Sequence, residues 1–294
     1  MTIRTKPAAD VIVDPSLVGA LLREQHPDLA HLVPVKVAEG WDNFVFRLGG
    51  ELAVRLPRRA ASATLIEHEQ RWLPELSARL PVPVPVPVRV GAPGPLFGWS
   101  WSVVRWLPGE SLLHAARVDP ITTGALLERF LRTLHQPAPA DAPRNPWRGV
   151  PLDARTTTLH EHLQQLDGVV DRAAVLNLWD HALSTPPWSG PPLWLHGDLH
   201  PGNLLASDGH LSGVIDFGDL TCGDPATDLA VLWMLPPAMR WRVEARGSDE
   251  PEALMVRARA WALALGLVYL AHSRGDVAMA TLGQRTITAA LDPT

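Results

Sequence analysis

The stretch Trp194 to Asp228 reads WLHGDLHPGNLLASDGHLSGVIDFGDLTCGDPATD, and its carboxylates and one amide decide how the chain is read. Asp198 opens the set in H-G-D-L-H-P-G-N, and Asn203 follows five residues later. Leu204–Ala206 and Leu211–Ile215 then read as two short strands joined by Ser207-Asp208-Gly209-His210, and Asp-Gly is a strong hairpin signal. Such a hairpin returns Asp216, in I-D-F-G, to the side of Asn203. Phosphoryl transfer asks for this pattern. One carboxylate must sit beside the accepting hydroxyl, while an amide oxygen and a second carboxylate hold the cations on the nucleotide phosphates.

The protein-kinase signatures H-R-D-L-x-x-x-N and D-F-G share His196, Asp198, Leu199, Asn203, Asp216, Phe217 and Gly218 with this chain. H-G-D-L-H-P-G-N, I-D-F-G and G-D-P-A-T-D-L-A, in that order, resemble the aminoglycoside phosphotransferase family, the antibiotic-kinase branch of the protein-kinase-like fold. The resemblance implies an α+β, two-lobed fold. A small β-rich lobe with one main helix would span 1–107, and a larger helical lobe with the catalytic loop and acceptor pocket 108–294. It also implies transfer of the γ-phosphate of ATP or GTP to a hydroxyl of an antibiotic-like or metabolite acceptor. Asp198 would be the base or positioner of that hydroxyl, Asn203 and Asp216 would hold Mg2+, and Asp228 would brace the catalytic loop. His200 would lie near the γ-phosphate, and His196 would be a buried scaffold of the loop.

Composition sets the outer bounds. The 294 residues are 46% hydrophobic and 19% charged, enough to bury a large core. A net charge of −5 argues against nucleic acid as a partner, since nucleic-acid binders carry a basic face. The single cysteine, Cys222, excludes an internal disulfide, fits a reducing cytoplasm and reads as inert. Met1 to Asp10 lacks the apolar core of a signal segment. The longest apolar run, Ala260 to Ala271, is shorter than a membrane span and reads as a buried helix.

Asp14-Pro15 predicts a capped helix with Leu17, Leu21 and Leu22 on one face. Strands follow at Val35–Ala38, Asn43–Leu48 and Leu52–Leu56, and the turn at Gly40-Trp41-Asp42 lacks the G-x-G-x-x-G of a phosphate loop. Kinases carry a lysine on the third strand; here Arg55 stands in its place, in an Arg-x-Pro-Arg-Arg segment that resembles the macrolide-kinase branch. An arginine supplies the same charge and can pair with a carboxylate through two donors. Glu69, on the helical pattern of Leu65, Trp72, Leu73 and Leu76, is its expected partner, with Pro74 kinking or ending that helix. Glu67, Arg58 and Arg59 read as solvated charges.

Alternating prolines from Pro81 to Val88 form a stiff connector into the next strand. The strand within Trp99–Trp106 leads to the lobe hinge, where the resemblance places the nucleobase against backbone groups of Arg105, Trp106 and Leu107. Asp119-Pro120 caps a helix bearing Leu126, Leu127, Phe130, Leu131 and Leu134, with His135 as a core or capping residue. Gln136 to Val150 is a loop, and helices are expected near 154–166, 171–183, 235–247 and 251–273, with Asp224 an N-cap alone.

Two other classes stand beside the kinase. Arg55 in place of lysine favours a non-catalytic nucleotide-binding regulatory module. His196-x-Asp198-x-His200 suggests a metal-dependent hydrolase, but that reading leaves Asn203, D-F-G and Asp228 unused. For the acceptor, Glu244, Asp249, Glu250, Glu252 and Asp276 make a thin acidic set for a polycation, while Trp233, Trp241, Trp261 and Tyr269 could line an apolar pocket.

Overall fold

Asp14 starts the first helix, α1 (Pro15–Gln25), by accepting from the Leu17 N–H at 2.8 Å, and Val18, Leu21 and Leu22 form its buried face. The computed structural model describes residues 7–241, 251–273 and 275–292, so Arg4, Lys6, Glu244, Asp249 and Glu250 lie outside the described residues. Strands β1 (Pro34–Glu39), β2 (Asn43–Leu48), β3 (Leu52–Pro57), β4 (Pro87–Gly91) and β5 (Trp101–Arg105) form an antiparallel sheet in the order β1-β2-β3-β5-β4. Register assigns the two faces. Phe44 pairs with Leu56 and Phe46 with Val54, and these residues meet α1 in a small core with Trp101 and Val103. With a side-chain period of two, Ala53 and Arg55 face the other way, toward helix α2 (Ala60–Ser77).

On α2, Ser62, Ile66, Glu69, Leu73 and Leu76 are buried at alternating steps of four and three, so a carboxylate sits in the middle of the inward stripe. The helix does not end at Pro74. It continues to Ser77, because Leu73 and Leu76 anchor both sides of the proline in the core. The following proline run is docked as well as stiff: Val82 and Val84 are buried, and the Pro83 carbonyl accepts from the Val214 N–H at 3.1 Å.

The second lobe is helical. Asp119 caps α3 (Pro120–Leu134), α4 (Thr156–Gln165) follows a 3-10 turn at Leu152–Arg155, and Asp171 caps α5 (Arg172–Leu183). Short strand β6 (Glu110–Ser111) joins hairpin β8 (Leu204–Ser207) and β9 (His210–Val214), while β7 (Leu193–Leu195) pairs with β10 (Thr221–Gly223). Helix α6 (Ala226–Leu229) is a single turn continued as a 3-10 segment. The expected helix near 235–247 is absent from its described part, which holds only a 3-10 turn at Pro237–Met239; the paired prolines at 236 and 237 oppose the helical geometry. The remainder of that span lies outside the described residues.

Helix α7 (Pro251–His272) is, against the sequence expectation, long and apolar enough to cross a membrane, yet 72% of its most apolar window is buried by the protein itself. Much of that burial comes from α8 (Val277–Leu291), for which the sequence reading has no helix. A Cβ on Gly283 would lie 2.6 Å from the Leu270 nitrogen and 2.8 Å from the Gly266 carbonyl oxygen. Gly283→Ala should therefore overpack this crossing by about 1–3 kcal/mol, against about 1 kcal/mol gained in helix propensity. Urea unfolding should show a lower midpoint; an unchanged or higher one would mean that the helices can separate freely.

Candidate functional site

Strand β7 delivers His196, Gly197 and Asp198, and the backbone there is held by one buried carboxylate. Asp228 accepts from the His196 N–H at 2.8 Å and the Gly197 N–H at 2.9 Å, and it meets His135 Nε2 at 3.1 Å. Burial alone would raise its pKa; the His135 contact, the histidine charges and the Gly197 N–H outweigh that and keep it below the usual range. Gly197 has φ +88°, and a Cβ there would fall 2.2 Å from the Asp219 carbonyl oxygen, so the middle residue of H-G-D must be glycine.

His196 links the two halves of the motif. Its Nδ1 accepts from the Asp198 N–H at 3.2 Å, which leaves Nε2 to donate to the Ile215 carbonyl at 3.0 Å, and its ring packs on Phe217. Both ring nitrogens are used inside the fold, so the His196-Asp198-His200 metal triad does not form. The Asp208-Gly209 turn has φ +53° and +82° and closes the hairpin in two residues, because Ser207 and His210, which the sequence reading leaves in the connection, pair as strand residues. It brings the Ile215 N–H to the Asn203 carbonyl at 2.9 Å, while Asn203 Nδ2 donates to the Asp198 carbonyl at 2.9 Å. Asp216 follows with φ 62° and ψ 68°, a left-handed conformation that is strained for a residue bearing a side chain.

From the sheet, Arg55 reaches both Glu69 and Asp216, the latter at 3.1 Å. Glu69 is fully buried, and burial pushes its pKa up to about 7 against the pull of Arg55, with Asp216 and Asp42 adding to the rise. For Arg55, burial lowers the pKa, but the Glu69 and Asp216 charges more than compensate and raise it. Among the proposed hinge residues, the Trp106 N–H is already given to the Glu51 carbonyl at 2.7 Å, its ring lies under Arg47, and Leu107 packs over Gly213.

Asp198 is contacted by Arg148 at 3.3 Å, by the Tyr269 hydroxyl at 3.2 Å and by His200 Nε2 at 3.6 Å. His200 Nδ1 accepts from the Gly202 N–H at 3.0 Å, so its Nε2 carries the proton that faces Asp198. Burial would raise the Asp198 pKa, yet the His200 contact and the Arg148 charge hold the carboxyl well below the usual range. It is suited to orienting a hydroxyl as an ionised acceptor.

Three sequence readings need correction. Arg58 is buried, not solvated: it donates to the Trp41 carbonyl at 3.0 Å and to Glu39 at 2.9 Å. Arg59 pairs with Asp42 at 2.8 Å, so the two arginines together fasten the β1–β2 turn. Asp224 is more than a cap, since it also holds buried Arg257 at 2.7 Å. Two contributors to the site were not singled out as such. Arg148 hides in a Pro- and Gly-rich loop with no local pattern, and Tyr269, the only tyrosine in the chain, was read as a pocket aromatic rather than a partner of Asp198.

With this geometry in place, comparison with known proteins is decisive: residues 35–264 match the phosphotransferase enzyme family. The chain belongs to that family. The aminoglycoside 3'-phosphotransferases of Escherichia coli and Salmonella typhimurium are each 25% identical to it over 164 residues, covering 52% of this chain and 60% of the relative's length. The GDP complex of aminoglycoside 2'-phosphotransferase-IIIa superposes with a TM-score of 0.69 at 20% identity, over 95% of this chain and 99% of that one. Macrolide 2'-phosphotransferase type I gives 0.56 at 18% identity, over 96% and 99%. At these identities the structural likeness is one of fold.

The oxygen donors of this phosphotransferase-family site suit a hard cation. Asp216 has a half-exposed side chain with one oxygen on Arg55, and Asn203 donates through Nδ2, which leaves its amide oxygen available. No group of three or more His, Cys, Asp or Glu that could hold a metal occurs among the described residues. Two oxygen donors that share a cation with phosphates and water match the way Mg2+ is bound by nucleotide enzymes.

Beyond Asp198 the wall changes character. Helix α7 presents His272 one turn after Tyr269, His272 Nε2 lies 3.1 Å from His162 Nε2, and Trp41 of the β1–β2 turn meets the His272 ring edge-on. Burial lowers the His162 pKa to about 4, with His272 and Arg155 adding to the shift. Of the expected aromatic wall, Trp261 is instead fully buried in the core, and Trp233 and Trp241 pack partly buried against it.

Two predictions follow from this geometry. Asp228→Ala leaves two backbone donors unpaired and should cost about 3 kcal/mol or more in urea unfolding; a loss below about 1 kcal/mol would contradict its bracing position. His162 has a folded pKa of about 4, depressed from an ordinary value of 6.5, so its share of stability is present above 6.5 and lost as pH falls toward 4. The melting temperature of the wild type should fall more over this window than that of His162→Gln; parallel pH profiles would refute the assignment.

Proposed function

We propose that this chain is a small-molecule kinase that transfers the γ-phosphate of ATP or GTP to a hydroxyl of a small acceptor. The observation that carries the proposal is the convergence of Asp198, Asn203 and Asp216 with the Arg55–Glu69 pair at the junction of sheet and catalytic hairpin. Asp198 orients the acceptor hydroxyl and takes up its proton as the bond to phosphorus forms, with Arg148, Tyr269 and His200 fixing its carboxylate. Asn203 and Asp216 would hold Mg2+, which when bound neutralises phosphate charge. Arg55, oriented by Glu69, faces the phosphates, and His200 lies on the γ-phosphate side. Positioning and charge neutralisation supply most of the rate in such a transfer.

Lobes 1–107 and 108–294 would meet at the nucleobase, which would take backbone groups of Arg105 and Leu107 and the carbonyl of Trp106, whose N–H is already engaged. Neighbours solved with GDP, and one solved with streptomycin and ATP, support a nucleotide donor, and the relatives' names support an aminoglycoside- or macrolide-class acceptor. A cytoplasmic setting fits the single buried thiol, whose pKa burial pushes up. One observation favours a non-catalytic nucleotide-binding module instead: Arg55 occupies an oxygen of Asp216 that a metal ligand would use.

A coupled assay of nucleotide turnover across aminoglycosides, macrolides and small alcohols separates the two readings. Asp198→Ala should lower turnover by about 10²–10⁴-fold while Mg-nucleotide still raises the melting temperature. Asp216→Ala should lose both. Wild-type turnover in Asp216→Ala would sink the kinase, and stabilisation by Mg-nucleotide without transfer to any acceptor would select the module.

A further inference from the structure

Helix α2 follows β3 in the chain, yet its apolar side chains pack into the other lobe. Trp72, Leu73 and Leu76 join the large core with Trp194 and Phe217, and none of its residues joins the small core of Phe46, Val54 and Trp101. What ties α2 to the sheet is polar. Gln70 Nε2 donates to the Trp101 carbonyl at 2.9 Å and to Ser102 Oγ at 3.0 Å, Ser100 Oγ donates to Glu67 at 3.0 Å, and Arg55 donates to Glu69. Hydrogen bonds are directional, so these ties fix where the helix stands and how it is turned.

The start of α2 has two further ties. Arg59 offers no side-chain cap, and the Ala60 N–H is taken at 2.9 Å by Asp10, fifty residues earlier. Asp42, in the β1–β2 turn, accepts through one oxygen from Ser62 Oγ at 2.6 Å and from Arg59 Nη2 at 2.8 Å. Its carbonyl takes the Arg58 N–H at 2.8 Å. Ser62 is fully buried and belongs to the inward stripe that carries Ile66 and Glu69. From Ser62 to Glu69 is about 10 Å of helix, or two turns. One face of α2 therefore carries Asp42 on Ser62 at one end and Arg55 on Glu69 at the other, and Arg55 continues to Asp216. Glu67 and Gln70 hold other faces.

We propose that Asp42 is a positioning residue for the nucleotide site: by holding Ser62 and Arg59 it sets α2 so that Glu69 keeps Arg55 on Asp216. The inference rests on the nucleotide site of the kinase reading. Without the tie, α2 takes up placements in which Arg55 and Asp216 part, and apparent nucleotide affinity falls with the fraction of molecules still competent.

The test is binding of MgATP and MgGTP by titration calorimetry, beside urea unfolding of each protein without nucleotide. Asp42→Ala should weaken binding of whichever nucleotide the wild type takes by about tenfold or more. Ser62→Ala keeps the carboxylate and breaks one bond, and should weaken it by about threefold or more. Asp42→Asn retains an acceptor oxygen for Ser62 and Arg59 and should stay within about twofold of the wild type. Asp10→Ala removes the cap from the same helix without touching the Glu69 face, so it should lower the urea midpoint and leave affinity unchanged. In a Glu69→Gln background, Asp42→Ala should add less than about twofold, because both changes act through one pair. Unchanged affinity in Asp42→Ala and Ser62→Ala, an equal loss in Asp10→Ala, or full additivity with Glu69→Gln overturns the assignment. Failure of the kinase reading shows separately, as retained turnover in Asp216→Ala; a wild type that binds neither nucleotide overturns both.

Discussion

One guanidinium connects the two lobes at the point where they must agree. Arg55 is placed by the alternation of β3 on the sheet face that meets α2, and from there it spans Glu69 and Asp216. A lysine offers a single compact charge; the arginine fork can serve two carboxylates at once. The arrangement is mutually dependent. Glu69 sits fully buried in the apolar stripe of α2, where a lone carboxylate would be driven toward its neutral form, and Arg55 is nearly as buried. Removing either member leaves an uncompensated charge in the interior, the case in which buried ion pairs matter most. Asp216 is the exposed end of the triad, open to whatever enters between the lobes.

The loop carrying Asp198 depends on a different device, an accounting of backbone donors. A carboxylate on a single-turn helix takes two consecutive N–H groups, and His135, at the end of α3, closes the set. His196 then transmits that order through its ring, from the Asp198 N–H to the Ile215 carbonyl, one residue before Asp216. Asp198 and Asp216 are therefore positioned by one continuous hydrogen-bond chain, and neither depends on a long flexible loop for its placement.

What the sequence reveals follows from the range of each interaction. Local chemistry is legible: the caps at Asp14, Asp119 and Asp171, the Asp208-Gly209 turn, and the alternation of β2 and β3 all depend on neighbours within a few residues. The pairing of Arg55 with Glu69 was legible because helical spacing fixed the glutamate and the strand fixed the arginine. Arg58, Asp224 and Arg148 were misread or passed over for the opposite reason, since their partners lie 17 or more residues away and leave no periodic trace. Helix α8 was missed because Thr286 and Thr288 turn their hydroxyls back onto the preceding turn of the helix while Gly283 serves close packing, so its apolar pattern is diluted. Of the two outcomes Pro74 allows, the helix end does not occur, because a proline signal is local whereas the anchoring of Leu73 and Leu76 is tertiary.

The distribution of strain and satisfaction separates the scaffold from the site. The α7–α8 pair packs glycine against backbone and buries most of the longest helix, while Asp228 and Asp224 each meet their partners in full. At the cleft Asp216 is held in a left-handed conformation and Glu69 keeps one oxygen unpartnered; unpartnered buried atoms also occur in the scaffold, among them Trp101 Nε1, Thr123 Oγ1 and Trp261 Nε1. A fold tolerates such costs where the missing partner is a ligand, and the surplus stability that permits them comes from the helices behind. Both of the cleft's exceptions border the proposed nucleotide and metal. Family membership alone leaves the acceptor open, because related phosphotransferases can share a carboxylate and hairpin of this kind while opposing different charges to what they phosphorylate.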